Sequence, residues 1–371
     1  MNILIAADYA TPASGNFIAS VLELGLYLRE HGDSLTFLFP KNRNTKTDTS
    51  WVHWLEENGF VVYLLDKAAA EEEQLRFLES VIHKHQIELL HLHFGMLHSI
   101  VVHRARQLGV KILMHDHMDF AAGSSRKKQA VRCAMRALIY RKNGIGIVSV
   151  NPYKNRAYFP ARNWYVPNAL SLRRNTEQSL TREECRREIG LKPEEKMCLL
   201  LGWDVHRKGL DIAVKAIREL RKTDPNMLLG VVGIGEPPDP DRLEFIRTTT
   251  GEDPACGWIR FLPSREDMFA YHRAIDVYLS ASRSEAFSYG ILETISQNTP
   301  VAVSDIKGTS WCWRYDKAVV YPTKNVIACA KAIQKAMNMG RAVSNYESFL
   351  EEYDIQEWCK QMRNIYLKML K

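Results

Sequence analysis

Short apolar, β-rich runs alternate with stretches whose apolar positions recur at helical spacing along most of the chain. In the first half the predicted strands are NILIAA (2–7), SLTFLF (34–39), FVVYLL (60–65), ELLHLHF (88–94), VKILMH (110–115) and GIGIVSV (144–150). Helical spacing falls between them, at 17–31, 71–86 and 97–108. In the second half the strands are MCLLLG (197–202), LLGVVG (228–233), WIRFL (258–262), DVYLSA (276–281) and PVAVS (300–304), with helical stretches at 208–222, 264–274 and 288–297. Strand–helix alternation predicts parallel sheets covered by helices on both faces.

The alternation pauses at NWYVPNALSLRRNTEQSL (163–180), where Pro, Asn and Ser cluster as in a linker. The domain boundary is placed there, near 168–175. Two doubly wound domains follow, 1–170 and 171–345. The final stretch, EEYDIQEWCKQMRNIYLKML, is an amphipathic helix with no strand after it, within a last segment 346–371. In open α/β sheets ligands bind beyond the carboxyl ends of the strands, so the strand-to-helix turns are where chemistry is sought.

One such turn is SEAFSYGILE (284–293). DVYLSASRSE reads as a buried strand entering a loop, and SYGILETISQ as a helix with Ser288 at its N-cap. The amides of Tyr289, Gly290 and Ile291 then point out of the helix start, a ready anion site. Gly290 lets a ligand approach the backbone. Glu285 precedes the helix and Glu293 lies inside it. Two carboxylates that can accept from vicinal hydroxyls flank a phosphate-binding turn, which suits a sugar nucleotide. On spacing alone the same glutamates read as ordinary surface residues.

Composition is that of a globular protein, 46% hydrophobic and 25% charged, with a net charge of +7. The mild basic excess hints at an anionic partner without naming it. The seven cysteines include no C-x-x-C pair and read as reduced thiols of a cytosolic protein. No secretory leader and no membrane-spanning run is recognisable.

The context of the glutamates supplies a resemblance. LLLGWDVHRKGLDIAVKAI carries Arg207 and Lys208 before Gly209; GVVGIGE ends a strand in Gly233 and Gly235; then come FLPSRED and SRSEAFSYGILET. In this order and spacing, over most of 196–310, they resemble the donor-binding half of the retaining family-4 glycosyltransferases of GT-B fold. TPASGNF (11–17) resembles a turn of that family's acceptor half more loosely. The resemblance implies two Rossmann-like domains facing a central cleft, with the last helix returning to the first domain. It implies that Lys208 neutralises the leaving diphosphate, Glu285 binds hydroxyls of the transferred sugar, and Glu293 binds the ribose. The backbone of Ser288, Tyr289, Gly290 and Ile291 would contact phosphate or sugar, Gly15 would admit the donor phosphates, and Arg265 would lie near the base. Where the family has an arginine this chain has Trp203, so Arg207 or Arg283 is expected to replace its bidentate phosphate contact. No covalent nucleophile stands out, and same-face attack needs none. No metal or other cofactor is expected beyond a UDP- or GDP-linked donor.

Two histidine pairs sit where strands end: His91 and His93, and His115 and His117 beside Asp116 and Asp119. Alternation puts both members of a pair on one face. Three readings stand: polar lining of a strand end; an active-site histidine on the transferred sugar, a family feature that His117 or His115 fits; and a metal site, since H-x-H pairs suit zinc. The segment 125–142 holds Arg126, Lys127, Lys128, Arg132, Arg136, Arg141 and Lys142, with Val131, Met135, Leu138 and Ile139 at helical spacing. It is either a solvated helix or a face for an anionic membrane. No nucleic-acid module is recognisable.

The expected activity is therefore retaining transfer of a sugar from a nucleotide diphosphate to a glycan or lipid-linked acceptor, in cell-surface polysaccharide synthesis. The expected place is the cytoplasm, peripheral to the inner face of the membrane. The rivals are a non-catalytic GT-B subunit supporting a partner transferase and a sugar-nucleotide epimerase on the same fold. A nicotinamide dehydrogenase would show G-x-G-x-x-G, and neither half does.

Overall fold

Ile3, Leu4, Ile5, Ala6 and Ala7 are all fully buried, as a strand covered on both faces requires. They belong to β1 (Asn2–Ala7) in a computed structural model that describes the chain except residues 12–13, 42–49, 96–98, 119–125, 152, 154–155, 176–178, 203 and 342–345. Ile3, Ile5 and Ala7 enter one apolar core, and Leu4 and Ala6 the other. The sheet adds β2 (Ser34–Pro40), β3 (Val61–Leu65), β4 (Leu89–His93), β5 (Lys111–Asp116), β6 (Gly146–Ser149) and β7 (Asn163–Tyr165). All pairings are parallel, in the order β3-β2-β1-β4-β5-β6-β7.

A second parallel sheet follows: β8 (Lys196–Leu201), β9 (Met227–Val232), β10 (Ile259–Leu262), β11 (Val277–Ser280), β12 (Val301–Ser304) and β13 (Ala318–Tyr321). Its order is β10-β9-β8-β11-β12-β13. In each sheet the strand order reverses beside the first strand, between β1 and β4 and between β8 and β11. Those reversals are the topological switch points where doubly wound folds bind ligands.

The chain divides into two compact units, Met1–Ser171 with Tyr353–Lys371, and Leu172–Glu352. The helix Ile355–Leu370 completes the first unit. Asp354 caps it, accepting from the amides of Gln356 and Glu357. Trp358, Met362, Tyr366 and Met369 enter the core that holds Ile3 and Ile5, and Arg363 Nε donates to Asp33 at 2.7 Å.

Three details differ from the sequence reading. Asn163–Tyr165, read as linker, is an edge strand too short and too polar to show an apolar run. Ala318–Tyr321 is likewise a four-residue edge strand. The return to the first unit starts at Tyr353, not at residue 346. The intervening helix Tyr346–Glu352 stays with the second unit because Phe349 is buried edge-on against Tyr315 and Glu352 accepts from Tyr315 Oη at 2.5 Å.

Candidate functional site

The switch point of the second sheet brings the loops after β8 and β11 together. The first turns at Gly209, whose φ of +71° starts the helix Leu210–Arg221. A side chain there would put Cβ 2.2 Å from the carbonyl oxygen of Ala281, so only glycine allows the loops this approach. Arg283 fastens them further. Its guanidinium makes two contacts to Asp211, at 2.9 and 2.7 Å, and its amide donates to the carbonyl of Arg207 at 2.8 Å.

Glu285 lies at the centre of this junction. Its carboxylate is 7% exposed and is ion-paired to Lys208, itself 12% exposed. Arg207 Nη1 reaches the other carboxylate oxygen at 3.3 Å, and Ser282 Oγ donates to the first at 2.8 Å. Arg207 is also held by Asp204, with Nε to Oδ2 at 3.1 Å. Two cations thus converge on one buried carboxylate. A ligand offering phosphate oxygens to the cations and hydroxyls to the carboxylate matches both halves of the cluster.

The helix Tyr289–Ser296 begins beside it, and Ser288 caps it by accepting from the amide of Ile291 at 3.4 Å. Glu293 is buried one turn in, its carboxylate 3.4 Å from His272 Nε2 without hydrogen-bond geometry. His272 Nδ1 pairs with Thr294 Oγ1 at 2.7 Å. Tyr278 lies in the field of both Glu285 and Glu293; burial foremost, then these carboxylates, hold its phenol protonated far above the usual range. The space beside Gly290 is taken by Tyr278 and Leu201: a Cβ there would stand 2.4 Å from Tyr278 Oη. The need for glycine is therefore set by the core behind the helix.

The other expected residues are placed differently. Arg265 pairs with Glu188 at 3.3 Å and lies over the Tyr271 ring. Gly15 opens the helix Gly15–Glu30 after β1 with φ +54°, and Tyr9 Oη would lie 2.6 Å from its Cβ. Arg283, named as a substitute phosphate ligand, is committed to Asp211, which leaves Arg207 as the arginine of the cluster. Trp203 and Asp119 lie outside the described residues, as do residue 125 and the side chains of Arg126 and Lys127. Three residues of this cluster are not singled out by the sequence: Ser282, His272 and Gly308. Gly308 backs directly onto Glu285, since its Cβ would lie 1.7 Å from the Glu285 carbonyl oxygen. The visible signal for it was a glycine following the strand PVAVS.

At the first switch point the four histidines do come together. His91, His93 and His115 are buried and His117 is half-buried. Successive rings stack or tilt at centroid distances of 4.1 Å (His91–His93), 4.8 Å (His93–His115) and 4.2 Å (His115–His117). Desolvation, with repulsion from His117 behind it, lowers the pKa of His91 to about 3. Desolvation among the surrounding rings lowers that of His117 to about 4 against the opposing pull of Asp116. His93 and His115 are also pushed well down, chiefly by burial. All four are neutral imidazoles at pH 7. Among the described residues, no helix is long and apolar enough to cross a membrane.

Comparison with known proteins adds three findings. Residues 181–351, less than half of the chain, match the family Glycosyl transferases group 1. The D-inositol 3-phosphate glycosyltransferase of Nocardia farcinica is 31% identical over 136 residues, 35% of this chain and 30% of that protein. The lipopolysaccharide core biosynthesis glycosyltransferase LpsE of Rhizobium meliloti is 28% identical over 129 residues, 35% of each. The chain thus spans about a third of the length of these curated relatives. Over the whole chain, the solved structure of Anabaena HepE with UDP and glucose superposes with a TM-score of 0.78 at 13% identity, covering 99% of both chains. That likeness shows the fold: two Rossmann-like α/β domains of the GT-B type.

Proposed function

We propose that this chain is a retaining glycosyltransferase. It moves a sugar from a nucleotide diphosphate to a hydroxyl of a glycan or lipid-linked acceptor, in cell-surface polysaccharide synthesis. The observation that carries the reading is the convergence of Lys208 and Arg207 on buried Glu285, beside the N-terminus of the helix Tyr289–Ser296. The matched region 181–351 contains this whole cluster, and the relatives that match it carry glycosyltransferase names.

The donor exchanges partners with the cluster. Its diphosphate takes Lys208 and Arg207, and its sugar hydroxyls take the Glu285 carboxylate. The ribose hydroxyls go to Glu293. As the glycosidic bond breaks, negative charge grows on the diphosphate and positive charge on the sugar ring. The fixed cations and the amides of Tyr289 and Gly290 stabilise the first, which is preorganised electrostatic catalysis, while the Ile291 amide, expected to join them, donates to Ser288 Oγ. This step needs no metal at the diphosphate. The family's histidine for the transferred sugar corresponds to His117 or His115, and of the two His117 is the more exposed.

The acceptor surface follows from the helix Arg126–Lys142. Cys133 and Ala137 face its core, yet Val131, Met135, Leu138 and Ile139 are 58, 59, 59 and 52% exposed. They form an outward stripe beside Lys128, Arg132, Arg136 and Arg141, the pattern of a helix lying on an anionic membrane. We place the enzyme at the cytoplasmic face of that membrane.

Calorimetry and thermal shift with a panel of UDP- and GDP-sugars, in chelator, on wild type and Glu293→Ala, test the donor site. Stabilisation by one donor, lost in the variant, is the expected result. No response to any sugar nucleotide would sink the autonomous transferase and leave the partner-dependent subunit. Donor turnover without an acceptor, giving a second sugar nucleotide, would instead identify an epimerase.

A further inference from the structure

Three imidazole nitrogens in the first unit have no protein partner among the described residues: Nε2 of His91 and both ring nitrogens of His115. Each belongs to a fully or nearly fully buried side chain. Leaving a buried polar atom unsatisfied is costly, so such a group calls for an occupant. Their neighbours are arranged for one. One ring nitrogen from each of His91, His93 and His115 lies within 4.8 Å of the others.

We propose that His91, His93 and His115 bind a divalent transition-metal ion of the zinc class in the first unit, remote in sequence from the Lys208–Glu285 cluster and additional to it. The ligand chemistry is consistent. Imidazole suits zinc, cobalt, nickel and copper, and a three-histidine set leaves one coordination position open. Hydrogen bonds engage one side of two of the rings. His91 has Nδ1 engaged by Tyr366 Oη at 2.8 Å, so its unpartnered Nε2 is the atom to offer. His93 has Nδ1 engaged by His117 Nε2 at 2.8 Å, and its Nε2 lies 3.3 Å from His91 Nδ1, a contact it would exchange for the ion. A ligating histidine characteristically gives its other N–H to such an orienting group. β4 and β5 supply all three from adjacent parallel strands, paired His93 to His115, so the set is fixed by sheet register.

The ion also gives the returning helix a purpose at this site. Tyr366 lies on Ile355–Leu370, and its hydroxyl is the partner that orients His91.

The test uses the full chain, purified without a histidine tag and stripped with chelator. Zinc and cobalt(II) are titrated separately, with calorimetry, thermal shift and the visible absorption of cobalt as readouts. The expected result is one ion per chain, a raised melting temperature and a cobalt spectrum of tetrahedral intensity. His115→Ala should abolish binding. Tyr366→Phe, which removes one oxygen and leaves the packing intact, should weaken it about 10- to 100-fold. Failure of the stripped wild type to bind zinc or cobalt stoichiometrically would overturn the site, with buried water as the occupant. So would binding that persists unchanged in His115→Ala, or an unaltered cobalt affinity in Tyr366→Phe.

Discussion

Replacing Gly308 by alanine probes how the glutamate of the cluster is held. The added Cβ would stand 1.7 Å from the carbonyl oxygen of Glu285 and 2.4 Å from its carbonyl carbon. An ordinary C···O contact is ~3.3 Å. The two segments must therefore separate by about 1.5 Å, and both colliding groups are backbone, so no side-chain rotation relieves the contact. Overpacking of this kind costs about 1–3 kcal/mol. The displaced residue is Glu285 itself, whose carboxylate sits between Lys208, Arg207 and Ser282. A misplacement near 1 Å at a reacting centre costs about 100-fold in rate. Urea melts should show the stability loss, and donor calorimetry with transfer kinetics should show the larger functional one. Gly257→Ala is the control: its φ is +80° but nothing lies within 4 Å of the new Cβ, so it strains the backbone without touching the site. A Gly308→Ala protein with the wild-type urea midpoint and donor affinity would refute the view that this contact positions Glu285.

Glu285→Gln leaves Lys208 and Arg207 facing a neutral amide; it should lower stability by about 3 kcal/mol in urea melts, the cost of breaking a buried pair, and remove measurable donor binding. In chelator-treated protein the histidines make stability depend on pH. The folded pKa of His91, about 3, lies below the unfolded 6.5, so the unfolded chain binds the extra proton. Stability is then complete above pH 6.5 and falls towards pH 3, by about 2 kcal/mol for His91 alone between pH 6.5 and 5. Equilibrium melts at those two pH values check the sign; a midpoint that rises on acidification contradicts it. Charge reversal of Arg132 and Arg136 to Glu should release the chain from vesicles containing anionic lipid, each lost cation being worth about 1 kcal/mol at low salt, while binding to neutral vesicles stays unchanged. Met362→Ala should cost about 2–5 kcal/mol because the residue is fully buried against the first sheet.

Much of this architecture was legible because parallel strands buried on both faces are written as continuous apolar runs. NILIAA is β1 residue for residue, and the runs from SLTFLF to PVAVS each overlap a strand within a residue or two. Both strands missed lie at sheet edges: Asn163–Tyr165 shows no apolar run, and Ala318–Tyr321, AVVY, is a run of only four residues. In the site, the pairing of Lys208 with Glu285 follows from strand order, which places β8 against β11 although 77 positions separate the two residues. The Glu285 motif was visible as a pattern. The contacts of Gly308 and His272 were not, because packing behind a functional residue leaves no periodic mark. For Gly290 the expected reason, room for a ligand, gave way to a buried tyrosine hydroxyl. Arg283 carried the right charge for a phosphate but has an acidic partner in Asp211, and Arg265, expected near the base, is paired with Glu188. The histidines could be assigned to one face from alternation alone. That they form a single buried stack needed the register of β4 against β5.

The last helix has a consequence for biogenesis. Because Tyr353–Lys371 belong with Met1–Ser171, the contiguous unit Leu172–Glu352 is topologically an insertion within a discontinuous one. During synthesis the inserted unit has all its strands before its host has Met362, Tyr366 and Met369 to close the core over Ile3 and Ile5. Domains fold as units as they emerge, so the order of folding is expected to invert the order of translation. Nascent chains stalled at residue 352 with a long tether should protect the second unit from protease while the first remains cleavable. Protection of both at that length would show that the first sheet closes without its final helix.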